Sequence, residues 1–345
     1  MKKSFRVSLV FFLVIFSVMF SGSGYASQAT MPKVMTVVSH GMATGGYAMV
    51  SGIATVLSKH LPPEFKVMPT TGISEILPLV ATGQALISGS SMMDTKEGWG
   101  GGAIFKRVLK GKKAPIRLLV SGSPNVSSVL AAADSGITKG EDLKGKRFIA
   151  NFAGSPTINI QADAALANFG LTRDDVRIIS QPGPGAAVKA LIEGRADASA
   201  SAVLRMGVVK ELEAKRGARF ISYDPSPEAA KRLLDPFPAR LVRVEPQKGL
   251  VGVREPIYMA QYEWYFWCHR DLISDEMAYQ IVKTMWDYND EITVISKRLS
   301  GWTRDRFIVT NPTIPYHPGA IRFYKEKGVW TETMEKIQAR LIGME

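Results

Sequence analysis

The sequence predicts an α/β fold with two similar lobes, because two stretches about 110 residues apart repeat one plan. Each stretch reads strand, glycine-rich turn, helix, strand, turn, helix and strand. In both, a glycine of the second turn, Gly72 or Gly183, lies 11 residues before the glycine that ends the next helix. Strands that alternate with helices form parallel sheets. The repeat therefore predicts two lobes, each built on its own sheet flanked by helices.

The helices of both stretches show apolar residues at the 3.6-residue period. After a strand at 34–38, the first helix has an apolar face of Tyr47, Val50, Ala54 and Leu57. After a strand at 147–150, the matching helix has an apolar face of Ile158, Ala162, Ala165, Leu166 and Phe169. A later helix is predicted to begin at Ser274, whose hydroxyl suits an N-cap.

Residues 1–26 are predicted to be a secretory signal peptide. Basic residues up to Arg6 precede an apolar run at 7–20, and small residues stand at Gly24 and Ala26 before the expected cleavage site. A membrane anchor is the alternative, but a spanning helix needs roughly 20 apolar residues. The pattern therefore indicates a protein exported to the periplasm, with a mature chain long enough for two domains.

Composition and missing motifs argue for binding rather than catalysis. The net charge is +12. Because an exported protein does not meet nucleic acid, this charge indicates either general solubility or an anionic ligand. The single cysteine, Cys268, excludes an internal disulfide and lies in an apparent strand as a buried thiol. The sequence has no H-x-x-x-H pair, no P-loop, no G-x-S-x-G elbow and no G-x-G-x-x-G after a strand. We therefore expect a monomer without metal or cofactor that is not an enzyme.

The loops that follow the strands are the candidate binding elements, because ligands of such folds bind at the carboxyl ends of strands. Ser155 before Pro156 is predicted to cap a helix whose free N–H groups suit a carboxylate. Arg205 is the candidate counter-charge, since its planar fork pairs with a carboxylate. Three alternatives to ligand binding remain open: a capped helix without a ligand, a core role for Tyr47, and a surface position for Arg205. The candidate ligand-binding residues are Thr44, Gly45, Gly46, Tyr47, Thr71, Ser90, Ser91, Asn151, Ser155, Thr157, Gly183, Gly185 and Arg205.

Several short motifs together resemble the TAXI-type substrate-binding proteins of tripartite ATP-independent periplasmic (TRAP) transporters. The resemblance covers essentially the whole mature chain and rests on the segments 44–46, 142–147, 154–157, 194–198 and 316–320. Two departures stand out. Pro156 stands where the family usually has glycine, and residues 92–102 are unusual enough to suggest a lid or a partner contact.

The resemblance implies the two-lobed type II periplasmic binding protein fold. Lobe one would combine 31–120 with 258–345, and lobe two would span 121–257, with a ligand cleft between them. The implied ligand is a small organic acid or amino acid such as glutamate or 2-oxoglutarate, delivered to an ion-gradient-driven TRAP permease. Two alternatives stay open: an exported two-domain enzyme that acts on a small anion, and a binding protein for an ABC transporter or a sensor kinase.

Overall fold

Ten strands and twelve α-helices make up the part of the chain described by the computed structural model, residues 32–42, 44–107 and 109–345. The predicted signal peptide lies outside these residues. The strands are β1 Val34–Ser39, β2 Glu64–Pro69, β3 Ile87–Ser91, β4 Ile116–Ala132, β5 Arg147–Phe152, β6 Arg177–Gln181, β7 Ala198–Val203, β8 Ala218–Phe220, β9 Arg240–Val244 and β10 Ile257–His269. The helices are α1 Gly45–His60, α2 Ile73–Ala81, α3 Met92–Gly100, α4 Ala103–Lys106, α5 Thr157–Asn168, α6 Pro184–Ile192, α7 Val209–Arg216, α8 Pro227–Leu234, α9 Asp275–Asp287, α10 Asn289–Ile295, α11 Pro318–Glu326 and α12 Glu332–Ile342.

The two predicted parallel units are present at opposite ends of one sheet. Its strand order is β2-β1-β3-β10-β4-β7-β5-β6, with β8 added to β4 and β9 to β10. β1 pairs parallel with β2 and β3, and β5 pairs parallel with β6 and β7. The mixed α/β prediction is therefore confirmed, and the repeat seen in the sequence corresponds to two real βαβ-based units.

Two long antiparallel strands, β4 and β10, join these units into a continuous sheet. The first part of β4 pairs with β10 (Val120 opposite Phe266), and its last part pairs with β7 (Ser127 opposite Val203). β10 changes partner in the same way, from β9 up to Gln261 to β3 from Trp264 onward. The chain thus passes between the units within strands, and the lobe limits at 120/121 and 257/258 stay a prediction.

The strands of the sheet carry the core because helices cover both faces. β3, β5 and β7 consist mainly of buried residues, which is typical of strands covered on both sides. The aromatic run of β10 contributes Tyr265, Phe266 and Trp267 without exposed surface. Cys268 is buried beside them, and burial raises the pKa of its thiol, which keeps it protonated as the sequence predicted.

The helix starts confirm the cap predicted at Ser274, contradict the one predicted at Ser155 and show a further cap at Thr44. The hydroxyls of Thr44 and Ser274 accept the backbone N–H groups of Tyr47 and Met277 at 3.1 and 3.2 Å. The predicted cap by Ser155 is wrong. α5 begins only at Thr157, after Pro156 in helical geometry, and no side-chain cap is formed. The first turn is instead closed by backbone bonds between residues three apart, from Ile158 N–H to the Ser155 carbonyl at 2.9 Å and from Asn159 N–H to the Pro156 carbonyl at 3.1 Å.

The unusual stretch 92–102, which the sequence suggested as a lid or a partner contact, is mostly a buried helix. Most of it forms α3, in which Met92, Met93, Thr95 and Trp99 are buried. The helix packs against β3 and β10 and therefore belongs to the core. No helix among the described residues has the length and apolarity that crossing a bilayer requires.

Candidate functional site

The loops at the carboxyl ends of the two parallel units touch each other. Gly72, before α2, lies so close to Gly154, before α5, that a Cβ atom on Gly72 would come within 2.3 Å of the Gly154 carbonyl oxygen. Gly72 also has a φ of +154°, a backbone region open essentially to glycine alone. The two units therefore meet backbone to backbone at this point, with no room for a side chain.

A buried carboxylate, Asp94 on α3, connects the two units at the same junction. The Thr157 hydroxyl, at the start of α5, donates to Asp94 Oδ1 at 2.5 Å. Ser91 donates its backbone N–H and its hydroxyl to Asp94 Oδ2 at 3.1 and 2.9 Å. Burial raises the pKa of Asp94, and the hydrogen bond from Thr157 is the largest opposing cause. These three donors stabilise a carboxylate that burial alone would disfavour.

His40, in the loop after β1, borders this cluster. Burial lowers the pKa of its imidazole, and the nearby Asp94 charge opposes that shift. Its Nδ1 atom is buried and has no hydrogen-bond partner within the described chain. A Cβ atom on Gly46 would lie 2.6 Å from Trp264 and 3.0 Å from His40 Nδ1. The glycine at this position thus lets the start of α1 pack directly onto both rings.

A cavity of about 680 Å³ opens along the middle of β4. Its lining comes from both units: Met49, Ser123, Pro124, Asn125, Val126, Val203, Leu204, Arg205, Met206, Val209, Lys210, Gly249, Val251, Lys297, Arg298 and Ser300. Four of these residues are cations and none is acidic. Across the described chain, none of the four cations lies within 4.0 Å of a carboxylate. The cavity therefore combines apolar walls with uncompensated positive charge.

Two arginines are held at this cavity by local structure. Arg205 has a φ of +64°, uncommon for a residue with a side chain, and donates to Gln247 Oε1 at 3.2 Å. The guanidinium of Arg298 lies against the start of α1, where a Cβ atom on Gly45 would be 3.2 Å from its Nε. The cationic groups thus face one cavity from separate segments of the chain.

Comparison with known proteins agrees with this architecture. The sequence model of the NMT1-like family matches residues 41–328, which is most of the chain. The chain belongs to the NMT1-like family. Its fold is that of periplasmic binding proteins, and the finer resemblance to TAXI-type receptors stays a prediction.

Among solved structures, the chain is similar to PhnD1 from Prochlorococcus marinus in complex with methylphosphonate. The TM-score is 0.51 at 11% identity, over 87% of this chain and 100% of that one. It is also similar to a binding protein component of an ABC phosphonate transporter from Pseudomonas aeruginosa. There the TM-score is 0.50 at 13% identity, over 89% and 98% of the two chains. A match to the alkanesulfonate-binding protein SsuA from Xanthomonas axonopodis pv. citri, bound to MOPS, has a TM-score of 0.46 at 14% identity, over 88% and 96%. The first two matches support the fold.

In this NMT1-like protein, five of the predicted site residues lie at the junction or the cavity. Ser91 and Thr157 hold Asp94, Gly46 contacts His40 and Trp264, Gly45 faces Arg298, and Arg205 lines the cavity. Ser155 lies nearby, since its Oγ would be 3.7 Å from a Cβ atom on Gly72.

Among the remaining predicted residues, Thr71 borders the junction, since its carbonyl oxygen would lie 3.3 Å from a Cβ atom on Gly154. The side chains of the others serve local structure or face open space. Thr71 donates its hydroxyl to Glu75 at 2.7 Å, and Ser90 accepts the Trp267 indole N–H at 3.0 Å. Asn151 contacts Arg173 and Ser180, whereas Thr44 caps α1 and Tyr47 is half-buried on it. A Cβ atom on Gly183 or Gly185 would have no neighbour within 4 Å. A ligand role for these residues stays a prediction without a contact to support it.

Sequence reasoning missed the residues that dominate the electrostatics of the site. Asp94 had a usable signal, because Ser91 three residues before it forms the S-x-x-D pattern of a capping box, which the structure contains. Lys210, Lys297 and Arg298 had none, since they come together only through the fold.

The hydrogen bond between Thr157 and Asp94 yields a direct stability prediction. Thr157→Val keeps the shape of the side chain but leaves one buried carboxylate oxygen without its donor. We expect the free energy of unfolding to fall by about 1–3 kcal/mol. Urea denaturation measures this change, and Thr157→Ser, which retains the hydroxyl, is the matched control. Equal stability of the valine variant and the wild type would show that this bond contributes nothing.

Proposed function

We propose that this NMT1-like protein is an extracytoplasmic receptor that binds a small organic anion and delivers it to a membrane permease. The observation that carries the proposal is the cavity with four unpaired cations and no acidic residue in its lining. Its volume of about 680 Å³ lies within the roughly 300–1,000 Å³ of small-molecule sites. Uncompensated charge is unfavourable for an unliganded protein, and an anion would neutralise it.

The residues that line the cavity also indicate the chemical class of the ligand. Arg205 and Arg298 offer planar forks for a carboxylate, phosphonate or sulfonate group. In the same lining, Met49, Val203 and Val251 provide apolar surface for a short carbon skeleton. The proposed ligand is therefore an organic anion with an acidic head and an apolar body, and a purely inorganic anion would leave those walls unused.

Two observations bear on the class of the partner permease. One of the similar structures is named as a component of an ABC phosphonate transporter, which favours an ABC partner. The motif resemblance in the sequence favours a TRAP partner instead. Cross-linking the protein in native membranes, followed by mass spectrometry of the captured chains, separates the two. An ATPase subunit among the partners identifies an ABC transporter, and ion-coupled permease subunits without an ATPase identify a TRAP transporter.

A thermal-shift screen with matched ligands tests the proposed ligand class. We expect propylphosphonate, propanesulfonate, glutamate or 2-oxoglutarate to stabilise the protein, and neutral analogues such as glutamine and propanol to have no effect. A ligand at 100 times its Kd should add about 2.7 kcal/mol of stability. Mass analysis of the recovered ligand accompanies the screen. Stabilisation by neutral solutes alone would contradict the anion site, and chemical conversion of the ligand would indicate an enzyme.

A further inference from the structure

A second concentration of positive charge lies away from the ligand cavity, in residues 105–113, called here the basic loop. It contains Lys106, Arg107, Lys110, Lys112 and Lys113, all exposed. None of these five cations is within 4.0 Å of a carboxylate on the described part of the chain. By contrast, the exposed Lys336 on α12 pairs with Glu332 at 2.7 Å. The basic loop is therefore charged without local compensation.

Two buried residues anchor the backbone of the basic loop to the core, whereas Lys113 folds back onto the protein, where its Nζ donates to the Met344 carbonyl and lies 5.7 Å from the centroid of the Trp99 ring. Phe105 and Leu109 are buried in the core. The Gly111 N–H donates to the Lys106 carbonyl at 2.7 Å and closes the turn. Lys110 has a φ of +51°, a left-handed conformation that costs energy for a lysine. The fold thus holds mutually repelling side chains in one place.

A cavity of about 520 Å³ beside the basic loop adds to the positive surface. Lys110, Lys112, Lys113 and Arg270 line it, together with the acidic residues Asp271 and Glu345. Both acids are already engaged, Asp271 with Arg270 at 2.6 Å and Glu345 with the buried Arg117 at 2.6 Å. Lys113 donates to the Met344 carbonyl, whereas Lys110 and Lys112 have no carboxylate partner in the described chain, which leaves their charge for an external anion.

This surface is separate from the proposed ligand site. The 520 Å³ cavity borders Pro115 and His269, at the outer ends of β4 and β10, whereas the ligand cavity borders Pro124 and Asn125 in the middle of β4. Nine residues of strand separate the two, roughly 25–30 Å at the rise of a β-strand. The basic loop therefore has no part in binding the organic anion.

We propose that the basic loop docks the protein onto an anionic phospholipid surface, through the phosphates of the lipid headgroups. Four of its five cations are lysines, and its described apolar residues Phe105 and Leu109 are buried. Protein–protein interfaces are depleted of lysine and centre on aromatic or apolar anchors. Clustered lysines without such anchors instead suit the diffuse negative charge of a lipid surface. The proposal does not depend on the identity of the ligand or of the permease.

Vesicle co-sedimentation tests this docking surface with the purified chain. The probe is a vesicle of 30% phosphatidylglycerol in phosphatidylcholine, compared with phosphatidylcholine alone, in 50 mM and 500 mM salt. We expect binding to the anionic vesicles only, and its loss at high salt. The triple variant Arg107→Gln, Lys110→Asn, Lys112→Gln should bind about 100-fold more weakly, because each basic residue near an anionic surface contributes about fivefold. Asparagine is chosen at position 110 because it tolerates the left-handed backbone.

The control triple variant Lys189→Gln, Lys215→Gln, Lys248→Gln removes the same charge from exposed sites outside the basic loop. It should bind within about threefold of the wild type, and circular dichroism confirms that both triple variants are folded. An equal loss in both variants would reduce the effect to net charge and overturn the proposal. No binding of the wild type to anionic vesicles would also overturn it. The proposal fails as well if the basic-loop variant binds vesicles normally but loses cross-links to membrane proteins, which would indicate an acidic protein partner.

Discussion

Replacing Arg205 and Arg298 together by alanine is expected to weaken binding of the organic anion at least 30-fold. Both guanidinium groups line the cavity, and neither has a carboxylate partner in the described chain to compete with a ligand. Removing a charged hydrogen-bond partner from a site that the ligand desolvates costs about 2–5 kcal/mol. Titration calorimetry with the best ligand of the thermal-shift screen measures the change.

Two further variants separate the geometry of these arginines from their charge. Arg298→Lys keeps the charge but loses the planar fork, so an intermediate affinity is expected. Arg177→Ala with Arg195→Ala removes two exposed arginines far from the cavity lining and should leave the Kd within about threefold. An unchanged Kd in the Arg205/Arg298 double variant would place both residues on the surface and remove the cavity as the anion site.

Gly72→Ala is expected to prevent the two units from meeting as they do in this structure. The new Cβ would lie 2.3 Å from the Gly154 carbonyl oxygen, and an alanine at a φ of +154° is strained by about 1–3 kcal/mol. The variant should therefore scatter as a more open molecule and bind the anion more weakly, since closure brings both units to the ligand. Small-angle scattering and titration calorimetry measure the two effects.

Gly183→Ala is the matched control, because it lies in the corresponding turn of the second unit. Its φ of −171° is ordinary extended backbone, and a Cβ atom there meets nothing within 4 Å. It should leave the small-angle scattering of the molecule unchanged. If Gly72→Ala and Gly183→Ala gave the same scattering and the same Kd, the contact between Gly72 and Gly154 would have no role in closure.

The sequence alone determined those features that depend on neighbouring residues. The 3.6-residue period located the helices, and the repeated order of strands and helices predicted both parallel units. Thr44 and Ser274 cap their helices because a cap needs only a hydroxyl and the N–H three residues later. The cap predicted at Ser155 is absent, because backbone bonds between residues three apart close the first turn and the α-helix begins only at Thr157.

Only the tertiary structure decided how these pieces meet. β4 and β10 join both units in one sheet through pairings between residues more than 130 positions apart, which no local pattern encodes. The bond between Asp94 and Thr157 spans 63 residues, and the four cations of the ligand cavity come from two segments that β10 separates in the chain. Their common position follows from the packing of the sheet and its loops. For that reason the sequence predicted an anion-binding cleft and one of its cations, Arg205, whereas Lys210, Lys297 and Arg298 became visible as cavity residues only in the fold.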